Sequence, residues 1–112
     1  MTLSEVRELL SAEVVCGDDL SKKVVESAGA ADLMSDVLAL SGSGMLLLTG
    51  LVNQQVIRTA VVADLLGVVF VRGKRPGSDI IELAREHSVP VLCTELTMFE
   101  SSGRLYAAMH GR

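Results

Sequence analysis

One stretch constrains the fold more than any other. It is residues 45–71, which read MLLLTGLVNQQVIRTAVVADLLGVVFV. A short apolar run at 45–48 gives way to a segment with apolar residues at helical spacing, and a second apolar run follows at 67–71. A strand, a helix and a strand within so few residues are close to the minimum length for a parallel crossover unit. The stretch therefore predicts a parallel β-sheet with a helix packed against it.

The same rhythm continues toward the C-terminus. Apolar runs begin at Met45, Gly67 and Val91, and each is followed by a segment with helical periodicity. Three successive βα units predict a three-layer α/β/α fold with a mainly parallel sheet. Shorter signals predict helices near 3–11 and 33–40, strands at 13–16 and 24–30, and a last strand at 91–94. We expect residues 1–112 to form a single domain, whose N-terminal part extends a sheet edge or covers a face.

Several helix ends carry sequence signals. Thr2 with Glu5, and Thr97 with Glu100, fit the capping box, in which two side chains satisfy the first free N–H groups of a helix. Single N-caps are predicted at Asp32, Asn53 and Ser78. The glycine-rich segment 41–44 and Gly111 are predicted to end helices.

The composition argues against nucleic acid as a partner and suggests a second copy of the chain. A net charge of −4 and a pI near 5.0 argue against a general nucleic-acid binder, and aromatic content of 3% without Trp offers no stacking platform. Hydrophobic residues make up 49% and the mean hydropathy is +0.44, which is high for a chain of 112 residues. We therefore expect a homodimer that buries apolar surface, with Met34 and Val62 as candidate interface residues.

The N-terminus and the cysteines bear on the compartment. The opening MTLSEVRELL lacks the basic and apolar regions of a signal peptide, and the longest apolar runs fall short of the roughly 20 residues that span a membrane. Cys16 and Cys93 lie in apolar stretches without metal-ligand spacing, which indicates buried free thiols. We expect a cytoplasmic protein without a membrane partner.

One loop suggests a binding site. In open α/β sheets ligands bind beyond the carboxyl ends of the strands, and there the loop 72–75 carries three cations in four positions, shortly before a helix begins. That combination suits an anion or a phosphate group. The candidate ligand-binding residues are Thr49, Asn53, Arg72, Lys74, Arg75 and Thr94. The alternative is a solvated loop whose cations satisfy helix ends or a partner's carboxylates.

Catalytic signals are weak. The segment 41–44 precedes a strand and lacks the Lys-Ser/Thr ending of a P-loop, and neither His87 nor His110 has a Cys or carboxylate nearby in a catalytic pattern. Asp32 and Asp36, four residues apart, fit half a metal site or, more simply, a cap and a solvated side chain. We expect no catalytic residue, no metal and no cofactor.

Three functions fit these residues. A non-catalytic regulatory or interaction module that senses a small anionic ligand fits best. A small enzyme acting on a phosphorylated metabolite at the same sheet edge is one alternative, and a purely structural subunit that binds only protein is another. The basic loop discriminates between them, because a scaffold would tolerate its neutralisation and a ligand site would not.

Longer stretches resemble a known family, the DRTGG domains. The resemblance rests on DLMSDV at 32–37, TG at 49–50, QVIRTA at 55–60, RGKRP at 72–76, PVLCT at 90–94, MFE at 98–100 and GRLY at 103–106. It covers nearly the whole chain, which looks like a stand-alone copy of the domain. The five-residue signature that names the family is absent, because the corresponding region, KKVVESAG at 22–29, lacks the paired glycines.

The resemblance implies a small three-layer α/β/α fold and a non-catalytic role. Such domains accompany CBS pairs in regulated family II pyrophosphatases, occur in some phosphotransacetylases, and resemble the N-terminal domain of HPr kinase/phosphorylase. In these proteins the catalytic centre lies in another domain, and the DRTGG domain often contributes to subunit contacts. Adenine nucleotides bind to the CBS pair, so the resemblance does not imply nucleotide binding by this chain.

Overall fold

A computed structural model describes residues 1–40 and 42–111. In chain order its elements are α1 (Leu3–Leu9), β1 (Glu13–Cys16), β2 (Ser27–Ala30), α2 (Met34–Leu40), β3 (Met45–Thr49), α3 (Gln54–Val62), β4 (Gly67–Phe70), α4 (Ser78–Glu86), β5 (Val91–Cys93) and α5 (Met98–Met109). A short 3₁₀ helix, Leu20–Lys22, lies between β1 and β2. The alternation of strands and helices confirms the predicted three-layer α/β/α fold.

The sheet has five strands in the order β1-β5-β4-β3-β2. Strands β2 to β5 run parallel, each beside its neighbour in sequence, and β1 pairs antiparallel with β5. The sheet is therefore mainly parallel, as predicted. The N-terminal part supplies both edges, because β1 and β2 lie at opposite ends of the sheet.

Helices cover both faces of the sheet. On one face α2, α3 and α4 pack through residues such as Val37, Ile57 and Ala84, and on the other α1 and α5 pack through Leu3 and Leu105. Every residue of β3, β4 and β5 is buried. This two-sided burial explains why these strands read as unbroken apolar runs.

Most predicted helix starts are confirmed, and two are wrong. Both capping boxes form, and Asn53 Oδ1 accepts a hydrogen bond from the N–H of Val56. Asp32 is not the residue directly before α2, which begins at Met34, and its carboxylate binds the loop after β3 instead. Ser78 is the first residue of α4, and the extended residue before it, Gly77, is the N-cap.

The N-terminal half departs from the sequence prediction in detail. Of the segment 24–30, which was predicted to be a strand, only Ser27–Ala30 forms one. Val24 instead forms an isolated antiparallel bridge with Thr2. Met34, a predicted interface residue, belongs to the buried core, whereas Val62 is 78% exposed. Of the segment 41–44, predicted to end α2, Ser41 lies outside the described residues.

Candidate ligand site at the carboxyl ends of the strands

The loop that follows β3 is fixed by a carboxylate from the end of β2. Asp32 Oδ1 accepts hydrogen bonds from the Thr49 hydroxyl at 3.1 Å and from the Gly50 N–H at 2.8 Å. The buried Thr49 hydroxyl also accepts a bond from the N–H of Leu51 at 3.1 Å. The Thr49 hydroxyl therefore both donates and accepts within the protein, and its role is to shape the loop.

The loop that follows β4 contains a tight turn. Arg72 and Gly73 have φ angles of 62° and 69°, and the N–H of Lys74 binds the Val71 carbonyl at 3.3 Å. Two further backbone bonds hold the turn, from Arg72 N to the carbonyl of Leu96 at 2.8 Å and from Gly73 N to that of Thr94 at 2.9 Å. A non-glycine residue rarely adopts a positive φ, so these bonds hold Arg72 in a strained conformation.

This turn places Arg72 against the loop after β3. A Cβ atom built on Gly50 would lie 2.9 Å from Arg72 Nη2, so the glycine leaves space that the guanidinium occupies. Both Arg72 and Lys74 are exposed. Both cations thus face solvent, and Arg72 lies against Gly50 in the loop that leads into α3, whose cap is Asn53. The turn therefore brings positive charge to the loop that precedes a helix start.

The other predicted site residues are engaged elsewhere. Arg75 forms a two-point ion pair with Glu13 of β1, at 2.6 Å and 3.2 Å. The hydrogen bonds and charge of Arg75 lower the pKa of Glu13, and Glu13 in turn raises the pKa of Arg75. The buried Thr94 hydroxyl donates to the Leu10 carbonyl at 2.7 Å, just beyond α1. Of the six predicted residues, Arg72 and Lys74 are exposed to solvent and Asn53 caps α3.

Three carboxylates lie close to the site. Besides Asp32 at Gly50, Asp79 Oδ2 accepts a hydrogen bond from Gln54 Nε2 at 3.0 Å at the start of α3, and the third is Glu95. A Cβ atom built on Gly73 would lie 2.8 Å from Glu95 Oε1, so this carboxylate rests against the turn and offsets part of its positive charge. From the sequence, Asp32 was expected to be a helix cap or half of a metal site, and Glu95 was not among the predicted ligand-binding residues. Their position after strands β5 and β2 was the available signal, because the ends of parallel strands meet at one edge.

The described residues hold few groups suited to chemistry. Within 1–40 and 42–111, no cluster of three or more His, Cys, Asp or Glu side chains is arranged to bind a metal. Cys16 and Cys93 are buried and free, and burial raises the pKa of both thiols, which disfavours the reactive thiolate. In the described part of the chain, no helix has both the length and the apolar character needed to cross a bilayer.

The fold and this site define a class, a small three-layer α/β/α domain with exposed cations at the carboxyl ends of its parallel strands. A model of the DRTGG domain matches residues 5–108, and the chain belongs to this family. No curated protein matches the chain.

A solved structure is similar along most of the chain. It is the crystal structure of the CBS and DRTGG domains of the regulatory region of Clostridium perfringens pyrophosphatase, complexed with its activator diadenosine tetraphosphate. The TM-score is 0.79 at 20% identity, and the match covers 93% of this chain but 45% of that one. The chain therefore spans less than half of the protein region it resembles.

Proposed function

We propose that this chain is a non-catalytic, cytoplasmic regulatory module that binds a small anionic ligand beside Arg72 and Lys74 and that works as a homodimer. The observation that carries the proposal is the strained turn that holds the Arg72 guanidinium against Gly50. Positive φ angles at Ser11, Asp64 and Ser88 only end helices, but at Arg72 the strained turn sets a guanidinium against the neighbouring loop.

The groups that would attract an anion are the two exposed cations of the turn, Arg72 and Lys74, which lie among three carboxylates. Lys74 is exposed on the same turn, and α3 presents its N-terminus beside the loop that contacts Arg72. Because Glu95 offsets part of the positive charge, a phosphate-bearing ligand would need to contact both Arg72 and Lys74. Family membership supports a regulatory role, because the similar clostridial region is described as regulatory.

An apolar surface supports the homodimer. Val61 and Val62 end α3, and Leu40 ends the neighbouring helix α2. Leu40 and Val62 are each 78% exposed. Since α2 and α3 both return from the carboxyl end of the sheet to its other end, these side chains share one end of the same helical layer. A second copy covering this surface would remove apolar area from water.

A thermal-shift experiment tests the ligand site. The purified protein is heated with inorganic pyrophosphate, AMP, ATP or diadenosine tetraphosphate, one at a time. A ligand at about 100 times its dissociation constant stabilises the fold by roughly 2.7 kcal/mol, which raises the melting temperature measurably. We expect at least one of these anions to produce such a shift.

Charge-removing variants locate the binding. Arg72→Gln combined with Lys74→Gln should abolish the ligand-induced shift. Arg75→Gln is the matched control, because Arg75 is already paired with Glu13, and the shift should survive in it. A shift that persists in the double variant, or that disappears equally in the control, contradicts this site.

A further inference from the structure

The free edge of β2 carries backbone groups that have no partner within residues 1–40 and 42–111. The N–H of Ser27 binds the Gly44 carbonyl, and the N–H of Ala31 binds that of Leu48, so the odd-numbered residues face β3. Because backbone groups alternate in direction along a strand, the N–H and C=O of Ala28 and Ala30 point away from the sheet. The edge thus offers two donor–acceptor pairs roughly 6.6 Å apart, the repeat of an extended chain.

The two edges of the sheet differ in how well they are protected against the addition of another strand. At the β1 edge the pairing is interrupted by a register shift between Val14 and Cys16, and the Glu13–Arg75 ion pair lies across this strand. Bulges and charges of this kind block strand addition. Strand β2 reads Ser-Ala-Gly-Ala and keeps unbroken register with β3, without a charge or a proline. Its small side chains leave the edge accessible.

A cleft follows this edge. It has a volume of about 460 Å³, with one wall formed by the whole of β2 and the other by the second half of α5. Ala28 and Ala30 pair with Leu46 and Leu48, whose side chains belong to the core under α5. A groove between an open strand edge and a helix is the shape that holds peptides that bind by strand addition.

The charge of the cleft indicates the kind of peptide. Among the described residues that line it, Glu26 is the one carboxylate, and neither Lys nor Arg is present. Glu26 is exposed and precedes β2 directly, and its carboxylate rests against Gly44 at the end of the cleft, where an added strand would begin or end. Lys22 and Lys23 line a neighbouring cavity together with Glu26. The whole chain has a net charge of −4, which also favours a basic partner.

We propose that an extended peptide segment of a partner protein, with a Lys or Arg near one end, adds to β2 as a sixth strand and lies in the cleft against α5. Its backbone binds Ala28 and Ala30, its cation pairs with Glu26, and small apolar side chains face Leu105 and Met109. This site is separate from the ligand site at Arg72, so either proposal can fail without the other.

An array of octapeptides tests the proposal. The peptides alternate Val and Ser in the centre and carry Lys, Gln or Glu at their ends. Binding of fluorescein-labelled members to the full chain is followed by anisotropy, and amide signals of Ala28 and Ala30 are followed by NMR. We expect peptides with Lys to bind at least tenfold more tightly than those with Glu, and both amide signals to shift.

Two variants separate strand addition from other binding. Ala28→Pro removes an outward N–H that the sheet does not use, which an edge strand tolerates, and should weaken binding at least tenfold. Ala28→Val keeps the N–H and should preserve binding. Glu26→Lys should reverse the preference from Lys to Glu, and it supplies the test if the proline variant does not fold.

Several results would overturn the proposal. These are no binding up to millimolar peptide, equal affinity for Lys and Glu ends, or unchanged affinity in Ala28→Pro. Light scattering distinguishes a second copy from a peptide. A loss of dimer mass in Ala28→Pro would assign the edge to another copy of this chain and exclude the peptide.

Discussion

Ser101 is a buried polar residue that the fold does not satisfy. It lies in α5 facing the core, and within the described part of the chain its Oγ finds no hydrogen-bond partner. A buried hydroxyl without a partner costs about 1–3 kcal/mol. We expect Ser101→Ala to raise the free energy of unfolding in urea by about 2 kcal/mol, from the removed penalty together with the better helix propensity of Ala.

Ser102 is the matched control for this substitution. It is the next residue of the same helix and is half-buried. Both changes gain the roughly 0.5 kcal/mol by which Ala exceeds Ser in helix propensity, so the difference between the variants isolates the buried hydroxyl. Equal stabilisation of the two variants would show that the Ser101 hydroxyl carries no penalty.

Arg72 combines strain with a proposed binding role. A positive φ costs an ordinary residue about 1–2 kcal/mol, and glycine removes this cost. Glycine also loses more conformational freedom on folding, which cancels part of the gain in stability. We expect Arg72→Gly to stabilise the protein by about 1 kcal/mol in urea unfolding and to abolish the anion-induced thermal shift.

Arg72→Ala serves as the control for that variant. It removes the cation but keeps the strained backbone, so it should lose the anion-induced shift without a gain in stability. Retention of the shift in both variants would assign the anion to another place.

Individual polar residues at this edge were predictable by position but not by role. The sequence places Thr49 and Thr94 after buried strands, where ligands often bind. It does not reveal that their hydroxyls are taken by Asp32 and by the Leu10 carbonyl, since both partners come from distant parts of the chain. Arg75 is similar, because Glu13 lies 62 residues away.

At the scale of elements, three of the helix ends that the structure describes share one pattern and contain no glycine. After α4, the N–H of Val89 binds the Ala84 carbonyl at 2.8 Å and that of Ser88 binds Arg85 at 3.1 Å, the two bonds of a Schellman motif. The endings of α1 and α3 repeat this pattern. The residues at positive φ in the three motifs are Ser11, Asp64 and Ser88.

These endings predict where the fold gains stability from glycine. We expect Ser88→Gly to raise the free energy of unfolding by about 1 kcal/mol, because glycine adopts a positive φ without steric cost. Ser88→Ala should bring no gain, since its Cβ keeps the strain. Denaturation in urea measures both variants. Equal stability of the glycine and alanine variants would contradict this account.

The sequence predicted the central elements better than the peripheral ones. Strands β3, β4 and β5 have a strong local signal, because burial on both faces requires continuous apolar residues. Strand β2 consists of Ser, Ala and Gly, residues without strand preference, and its place in the sheet comes from pairing with β3. Local pattern reveals little of such an element.

At the scale of the whole molecule, the sheet is completed by contacts between distant parts of the chain. Strands β1 and β2 are neighbours in sequence, yet the sheet order places them at opposite edges. The connection through Leu20–Lys22 must therefore pass along the end of the sheet. Local periodicity does not encode such a crossing, which is why the first 44 residues could not be placed from sequence.

The Glu13–Arg75 pair makes one of these long-range contacts sensitive to pH. Arg75 lowers the pKa of Glu13 from its ordinary value of 4.5, so the pair stabilises the fold above that value and the contribution is lost as the pH falls through the lower, folded-state pKa. We expect Glu13→Gln to be less stable than the wild type at neutral pH and equally stable at about pH 2.

Glu82→Gln is the control for this pH dependence. Glu82 is an exposed residue of α4 that takes no part in this ion pair, so its replacement should leave the stability at neutral pH close to that of the wild type. Thermal unfolding monitored by circular dichroism measures all three proteins. A difference between Glu13→Gln and wild type that persists at about pH 2 would show that the effect does not depend on the carboxylate's charge.

The proposed homodimer makes a prediction for the assembled molecule. Val62 lies on the outer surface of α3, and a lysine there would place an unpaired charge in an apolar interface. We expect light scattering to give twice the 11.9 kDa mass for the wild type and the monomer mass for Val62→Lys. Phe99→Lys is the matched control, because Phe99 is 87% exposed on α5, in the opposite helical layer, and its replacement should leave the dimer intact. A monomeric wild type would refute the dimer, and dissociation by Phe99→Lys alone would move the interface to the α1–α5 layer.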